Sequence, residues 1–325
     1  MRRFRTERLT TLYLVRPVRR ICAAPNCLRI PILMYHSISD RDQNAGHNDL
    51  ALHTSPLVFE THLKYLSENG YTSISPADVV GLLSSERAMD KKYVAITFDD
   101  GYRDFYTTAF PMISKYGFNV TVYLPTAYIS TKARPLMDRA CLTWTEVREL
   151  HKAGVAFGSH TISHSKLEDM SDADLEEEVF ASRQTIEDEL GSPVCSFAYP
   201  FIFPEQDSFF AHRLRDLLKA AGYHDGVSKV IGTVQSLEER FFLRRVPISN
   251  CDDATMLRAK LDGDYDWFHT AQSARETVKR MRFPGIRRGV LANVLATFSR
   301  PSVSGSQSDP LGRVDYTTTS RKENR

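Results

Sequence analysis

Two carboxylates stand side by side at Asp99 and Asp100, inside the stretch Thr97-Phe98-Asp99-Asp100-Gly101. Like charges this close repel, so the pair is costly unless something offsets the repulsion. A divalent cation held by one carboxylate does so, and leaves the other free to take a proton from an activated water. Gly101 permits a sharp turn directly after the pair. Taken alone, the pair reads better as the N-terminus of a helix, where Asp is a good cap. A second group lies at His160-Thr161-Ile162-Ser163-His164. Histidines four apart point the same way on a helix or a tight turn, although alone they also suit a surface or capping role. Two imidazoles and one carboxylate make a three-ligand set with room for water and substrate, the pattern of a catalytic metal site rather than a closed structural one.

The elements that must position these groups alternate between strand and helix. Strand-like runs are Ile30–Tyr35, Tyr71–Ile74, Tyr93–Phe98, Phe118–Leu124, Val155–Gly158, Ser196–Tyr199 and Arg244–Ile248. Helical patterns fill most gaps. One opens at Ser55-Pro56 and stops at Gly70; others follow Pro76, span Tyr106–Tyr116, start at Thr143 and span Ser171–Leu190, and the last runs from His212 to Ala221. Strand then helix, repeated about seven times, implies an α/β fold with a parallel sheet and outer helices, at a spacing that suits a barrel. Catalytic groups of such barrels gather at the C-terminal strand ends. Asp99 and Asp100 follow Tyr93–Phe98 directly, His160 follows the Val155–Gly158 strand, and Tyr199 ends another.

With these motifs in place, the sequence resembles the polysaccharide deacetylases that share the NodB-homology domain, carbohydrate esterase family 4. The matching stretches are TFDDG at 97–101, SHTISH at 159–164 and FAYPF at 197–201; PILMYH at 31–36, LTWTEVREL at 142–150 and LRRVP at 243–247 resemble an AYPF-containing branch. The resemblance implies a distorted (β/α) barrel of about seven parallel strands. It implies a divalent metal, Zn²⁺ first and Co²⁺ or Ni²⁺ as substitutes, on Asp100, His160 and His164, with Asp99 as general base. The implied reaction is hydrolysis of an acetamido group on a hexosamine of N-acetylglucosamine type. Tyr102 is placed to offer a backbone N–H to the developing oxyanion.

Two departures from the family pattern stand out. The family's third motif carries an arginine where this chain has Ala198, and Ile202 replaces a common glycine. Arg245, on the last expected strand, is the candidate stand-in. The late Leu-x-His motif that supplies the general acid is missing, which leaves His36 as first candidate, with His224 and His269 behind it. Tyr199 and Phe201 are candidates to line a sugar groove, with Tyr128 and Phe203 as neighbours. Hydrolysis of another amide or an O-acetyl ester, or glycan binding without cleavage, are the alternative readings.

The 325 residues carry 42 basic and 40 acidic side chains, a balance that gives nucleic acid no footing as partner. The charge is uneven. Residues 1–29 read as a basic, solvated N-terminal segment and residues 275–288 as a second cationic cluster, both open to weak contact with an anionic membrane surface. Residues 30–299 read as the catalytic domain and 300–325 as a disordered polar tail. Five scattered cysteines do not form a disulfide framework. No signal peptide or membrane span is evident, so the expected location is cytoplasmic with membrane association as a variant. The pattern is silent on oligomeric state.

Overall fold

The computed structural model describes residues 6–22, 29–40, 53–85, 91–236 and 240–274. Eight parallel strands run in chain order: β1 Ile32–Tyr35, β2 Tyr71–Ile74, β3 Lys92–Phe98, β4 Thr121–Leu124, β5 Ala156–Ser159, β6 Ser196–Ala198, β7 Asp225–Ile231 and β8 Leu243–Pro247. They are ordered β1-β8-β7-β6-β5-β4-β3-β2, and β1 also pairs with β3, from Ile32↔Ala95 to Tyr35↔Phe98. Seven strands therefore close into a ring, and β2 adds to β3 outside it. The (β/α) barrel expected from the sequence is present, with one exchange of members. Tyr71–Ile74 lies outside the ring, and Asp225–Ile231, which the sequence pattern did not mark, completes it.

Strand alternation sorts the core into two layers. Ile32, Ala95, Tyr123, Ala198, Val227 and Leu243 each come from a different strand and fill the ring. Leu33, Tyr35, Ile96, Phe98 and Val122 point outward and meet Phe59, Leu63, Leu66, Leu175 and Val179 on the surrounding helices. Gly158 on β5 makes room for this arrangement, since a Cβ there would sit 2.5 Å from the Tyr123 ring and 2.8 Å from the Ser196 carbonyl.

The helices are α1, running through Thr6–Leu9, a π-helical Thr10–Val15 and Arg16–Cys22; α2 Pro56–Glu68; α3 Pro76–Ser84; α4 Phe110–Tyr116; α5 Trp144–Lys152; α6 Asp172–Leu190; α7 Ser208–Ala220; and α8 Ala254–Leu261. Their starts follow local chemistry. Ser75 with Asp78 and Thr143 with Glu146 form capping boxes, and Ser171 caps α6. Within the N-terminal segment, residues 6–22 are not the solvated stretch their charge suggests. Arg8 pairs with Asp253 at 2.6 Å, Arg19 with Asp264 at 3.0 Å, and Trp267 Nε1 donates to Thr11 Oγ1 at 3.0 Å. The run Asp264-Tyr265-Asp266-Trp267 thus docks α1 and the chain around Arg29, whose guanidinium is 3.1 Å from Asp266. The basic cluster 275–288 and the tail 300–325 lie outside the described residues. No helix among the described residues is long and apolar enough to cross a membrane.

Candidate active site

The site is assembled at the C-terminal ends of β3 and β5. The β3 ladder continues one residue past Phe98, with the Asp99 amide donating to the Tyr35 carbonyl at 3.0 Å. The chain then turns through Asp100 and Gly101, both left-handed with φ of 69° and 57°. Gly101 is doubly required, because a Cβ would also meet Leu124 Cδ2 at 2.9 Å. After β5, Thr161 and His164 are left-handed as well, and Phe201 repeats the feature beyond β6. Non-glycine residues in this region cost about 1–3 kcal/mol each and gather where surrounding contacts over-determine them. Those contacts are on hand. His164 N donates to Thr161 Oγ1 at 3.0 Å, and buried Glu178 of α6 accepts from the Ile162 and Ser163 amides at 2.7 and 3.0 Å.

This backbone brings Asp100 Oδ1 within 3.4 Å of His160 Nε2 and 3.2 Å of His164 Nε2. All three residues are buried, and none of these three atoms has a hydrogen-bond partner among the described residues. His160 Nδ1 donates to the Ala198 carbonyl at 2.7 Å, which fixes the tautomer and leaves the Nε2 lone pair facing Asp100. Burial pushes His160 down from the ordinary histidine range. Burial also pushes Asp100 up, but contacts with His160 and His164 outweigh it and hold the carboxyl well below the usual range. Two imidazole nitrogens and a carboxylate oxygen, converging with no hydrogen-bond donor between them, are the ligand set a Zn²⁺-type ion requires, so the residues fit such an ion.

Asp99 points the other way. Arg245 of β8 grips it bidentately, Nη1 to Oδ1 at 2.6 Å and Nη2 to Oδ2 at 2.7 Å, with both side chains fully buried. Arg245 is itself held by the Ser228 carbonyl and Thr97 Oγ1. Burial raises the Asp99 carboxyl, but the charge and hydrogen bonds of Arg245 override this and hold it below the carboxylate range. His36 Nε2 is 3.8 Å from Asp99 Oδ2 and has no hydrogen-bond partner among the described residues. Burial, followed by the nearby Lys229 charge, pushes His36 down to about 3, so the imidazole is neutral. Tyr102 is buried, and its amide has no acceptor among the described residues.

The remaining candidates divide. The Phe201 ring sits 4.9 Å from that of His164, at the edge of the site. Tyr199 does not line a groove. It is buried in the outer layer against Phe203 and Phe210, and its hydroxyl donates to Glu168 at 2.5 Å. Phe203 stacks on Phe242, and Tyr128 packs partly buried against the core. His224 lies at the start of β7, the opposite end of the barrel from the site. His269 is engaged by Glu205 at 2.7 Å.

Comparison with known proteins decides the family. The sequence profile described as "Polysaccharide deacetylase" matches residues 86–225. YxkH of Bacillus subtilis (strain 168), a polysaccharide deacetylase by name, is 30% identical over 224 residues, 68% of this chain and 72% of that one. The chain belongs to the polysaccharide deacetylase family. A shorter stretch of 139 residues is 30% identical to the poly-beta-1,6-N-acetyl-D-glucosamine N-deacetylase of Escherichia coli (strain K12), covering 40% of this chain and 20% of that protein. Among solved structures, the Streptococcus pyogenes deacetylase PplD in complex with acetate superposes with a TM-score of 0.62 at 26% identity, over 73% of this chain and 99% of that one.

Two residues of this polysaccharide deacetylase site escaped the sequence reading. Glu178 stands among the apolar Leu175, Val179 and Ile186 on the buried stripe of α6, and an acid inside such a stripe is a detectable signal. Lys229 lies on the strand that the pattern missed, and its charge is felt at both His36 and Asp100.

Proposed function

We propose that the chain is a metal-dependent hydrolase that removes N-acetyl groups from an amino-sugar polymer of N-acetylglucosamine type. The observation that carries this reading is the orphaned Asp100–His160–His164 cluster standing beside an Asp99 clamped by Arg245. The E. coli relative, named for the same chemistry on poly-β-1,6-N-acetylglucosamine, supports the substrate class.

Asp100, His160 and His164 would hold the ion. When bound, a divalent cation polarises the acetyl carbonyl and makes a water acidic. Asp99 accepts the proton of the attacking water at its carboxylate. A carboxylate this acidic is a weak base, so it accepts a proton only from a water already made acidic. Arg245 keeps both Asp99 oxygens oriented and is a positioning residue. The free Tyr102 N–H donates to the acetyl oxygen as negative charge develops there. His36, with an unpartnered Nε2 near Asp99, relays the proton to the leaving nitrogen. The amide and one water become an ammonium group on the sugar and acetate. Phe201 beside His164 shapes the sugar side of the site.

The test is acetate release from N-acetylglucosamine oligomers with added Zn²⁺ or Co²⁺, beside Asp99→Asn. Metal-dependent release that disappears in the variant is the expected result. Release from O-acetylated sugars alone would move the reading to an esterase. Metal binding with no release from any acetylated glycan would make the chain a binding homologue.

A further inference from the structure

The N-terminal helix α1 presents its faces in an unusual way. Three of its four arginines turn toward the protein: Arg8 to Asp253, Arg16 to Asp262 and Asp264, Arg19 to Asp264. Its inner face is completed by buried Thr11 and by Leu12, which packs with Ile231, Met256 and Tyr265. The outer face carries Leu9, Tyr13, Leu14, Val18 and Ile21, with Tyr13 75% and Ile21 85% exposed. Five of the ten large exposed hydrophobic side chains among the described residues lie on this one segment. The π-helical Thr10–Val15 stretch lets Tyr13 and Leu14 both face out while Thr11 and Arg16 face in.

Beside this apolar face is a cationic groove. A surface cavity of about 450 Å³ is lined by Arg16, Arg20, Tyr65, Ala254, Thr255 and Arg258. Arg258 pairs with Asp262, which also takes Arg16, while Arg16 reaches Asp264 as well; Arg20 has neither an ion pair nor a hydrogen bond among the described residues. Arg2, Arg3 and Arg5 precede the helix in the sequence. Apolar side chains flanked by the unpaired Arg20 and the half-exposed Arg258 match acyl chains beneath anionic headgroups.

We propose that the outer face of α1 and the groove carrying Arg20 and Arg258 form a docking surface for an anionic lipid bilayer. Leu9, Tyr13, Leu14, Val18 and Ile21 enter the interface, and the groove takes lipid phosphate. The inward arginines pin the helix to α8 and the Asp264–Trp267 run, so the barrel is held against the membrane as a rigid attachment rather than on a tether. This proposal is independent of the reaction assigned to the catalytic site.

Flotation of the full chain with vesicles of phosphatidylcholine and phosphatidylglycerol, beside vesicles of phosphatidylcholine alone, tests it. Two variants touch neither the core nor the catalytic groups: Val18→Ser/Ile21→Ser and Arg20→Glu. The wild type is expected to float with the mixed vesicles and to be released by high salt. The serine variant is expected to lose about tenfold in partitioning to mixed vesicles, and Arg20→Glu to lose its preference for them. Unchanged melting temperatures would show that both variants are folded. Absence of flotation, or flotation that the variants leave intact, overturns the proposal. So does a concentration-dependent dimer in sedimentation velocity that Val18→Ser/Ile21→Ser abolishes, since the face would then be covered by a second copy.

Discussion

Asp99 and Arg245 are each the other's main means of staying charged inside the barrel. Both are fully buried and joined by two short hydrogen bonds. Breaking such a pair from one side leaves an uncompensated buried charge and costs about 3–5 kcal/mol. Arg245→Ala is therefore expected to lower the melting temperature by several degrees and to raise the Asp99 pKa. The acid limb of the rate profile then moves to higher pH, an effect that a merely structural arginine would not produce. Arg245→Lys, which keeps the charge but loses the fork, should recover stability better than rate. Asp99→Asn is expected to cut acetate release by about 10²–10⁴-fold while metal binding on Asp100 persists. His36 makes a separate prediction. Its folded pKa, about 3, lies below the ordinary histidine value of 6.5. Its neutral form thus contributes stability that is complete above pH 6.5 and is lost as pH falls from 6.5 toward 3. Denaturant titrations of the metal-free protein should show stability falling across that window, with a shallower slope in His36→Gln. An unchanged slope would mean that other groups carry the acid sensitivity.

At the scale of elements, the catalytic loops are positioned by parts that touch no substrate. Glu178 projects from α6 to hold the amides of Ile162 and Ser163, and so fixes the left-handed turn that aims His164. Glu178→Gln is expected to weaken metal affinity by roughly 10–100-fold, as loss of an outer-shell partner does, and a chelator-competition titration reads this directly. Gly158→Ala would drive a methyl into the Tyr123 ring and the Ser196 carbonyl. About 1–3 kcal/mol of destabilisation is expected from overpacking, measured by thermal melting. The same elements show what a sequence can disclose. β3 and β4 were legible because β-branched and aromatic residues dominate their runs, and β5 because a short apolar run stands between two glycines. β7 was not, because Asp225-Gly226 reads as a turn and Ser228 and Lys229 interrupt the pattern. In the barrel Asp225 is answered by Ser196 and Ser228 by the Phe242 and Leu243 carbonyls, partners on neighbouring strands. The α1 helix escaped for the same reason, since its arginines find their acids about 245 residues away. Tyr199 could have been placed correctly. Strand alternation puts it on the outer face with Phe197, while the left-handed Phe201 lies past the turn and returns to the site.

For the whole molecule, the metal cluster closes a contact that the barrel's hydrogen bonds do not make. Asp100 leaves β3, His160 and His164 leave β5, and β4 runs between these strands. Two motifs well separated in the sequence, TFDDG and SHTISH, marked the candidate ligands, yet only closure of the ring shows why they meet. Without an ion, Asp100 Oδ1 and two imidazole nitrogens face one another with no donor between them. A ligand that binds only the folded chain adds stability as RT ln(1 + [L]/Kd), about 2.7 kcal/mol at a hundredfold excess over Kd. Chelator-treated protein is therefore expected to melt several degrees lower than protein supplied with Zn²⁺, and to regain that difference on titration with one ion per chain. His164→Ala should shrink the increment, because it removes one of three ligands while leaving the β3 and β5 strands intact. Arg20→Glu, on the remote face of α8 and α1, should leave it unchanged. A melting temperature indifferent to both chelator and Zn²⁺ would show that the cluster holds no metal, and the proposed hydrolysis would lose its means of activating water.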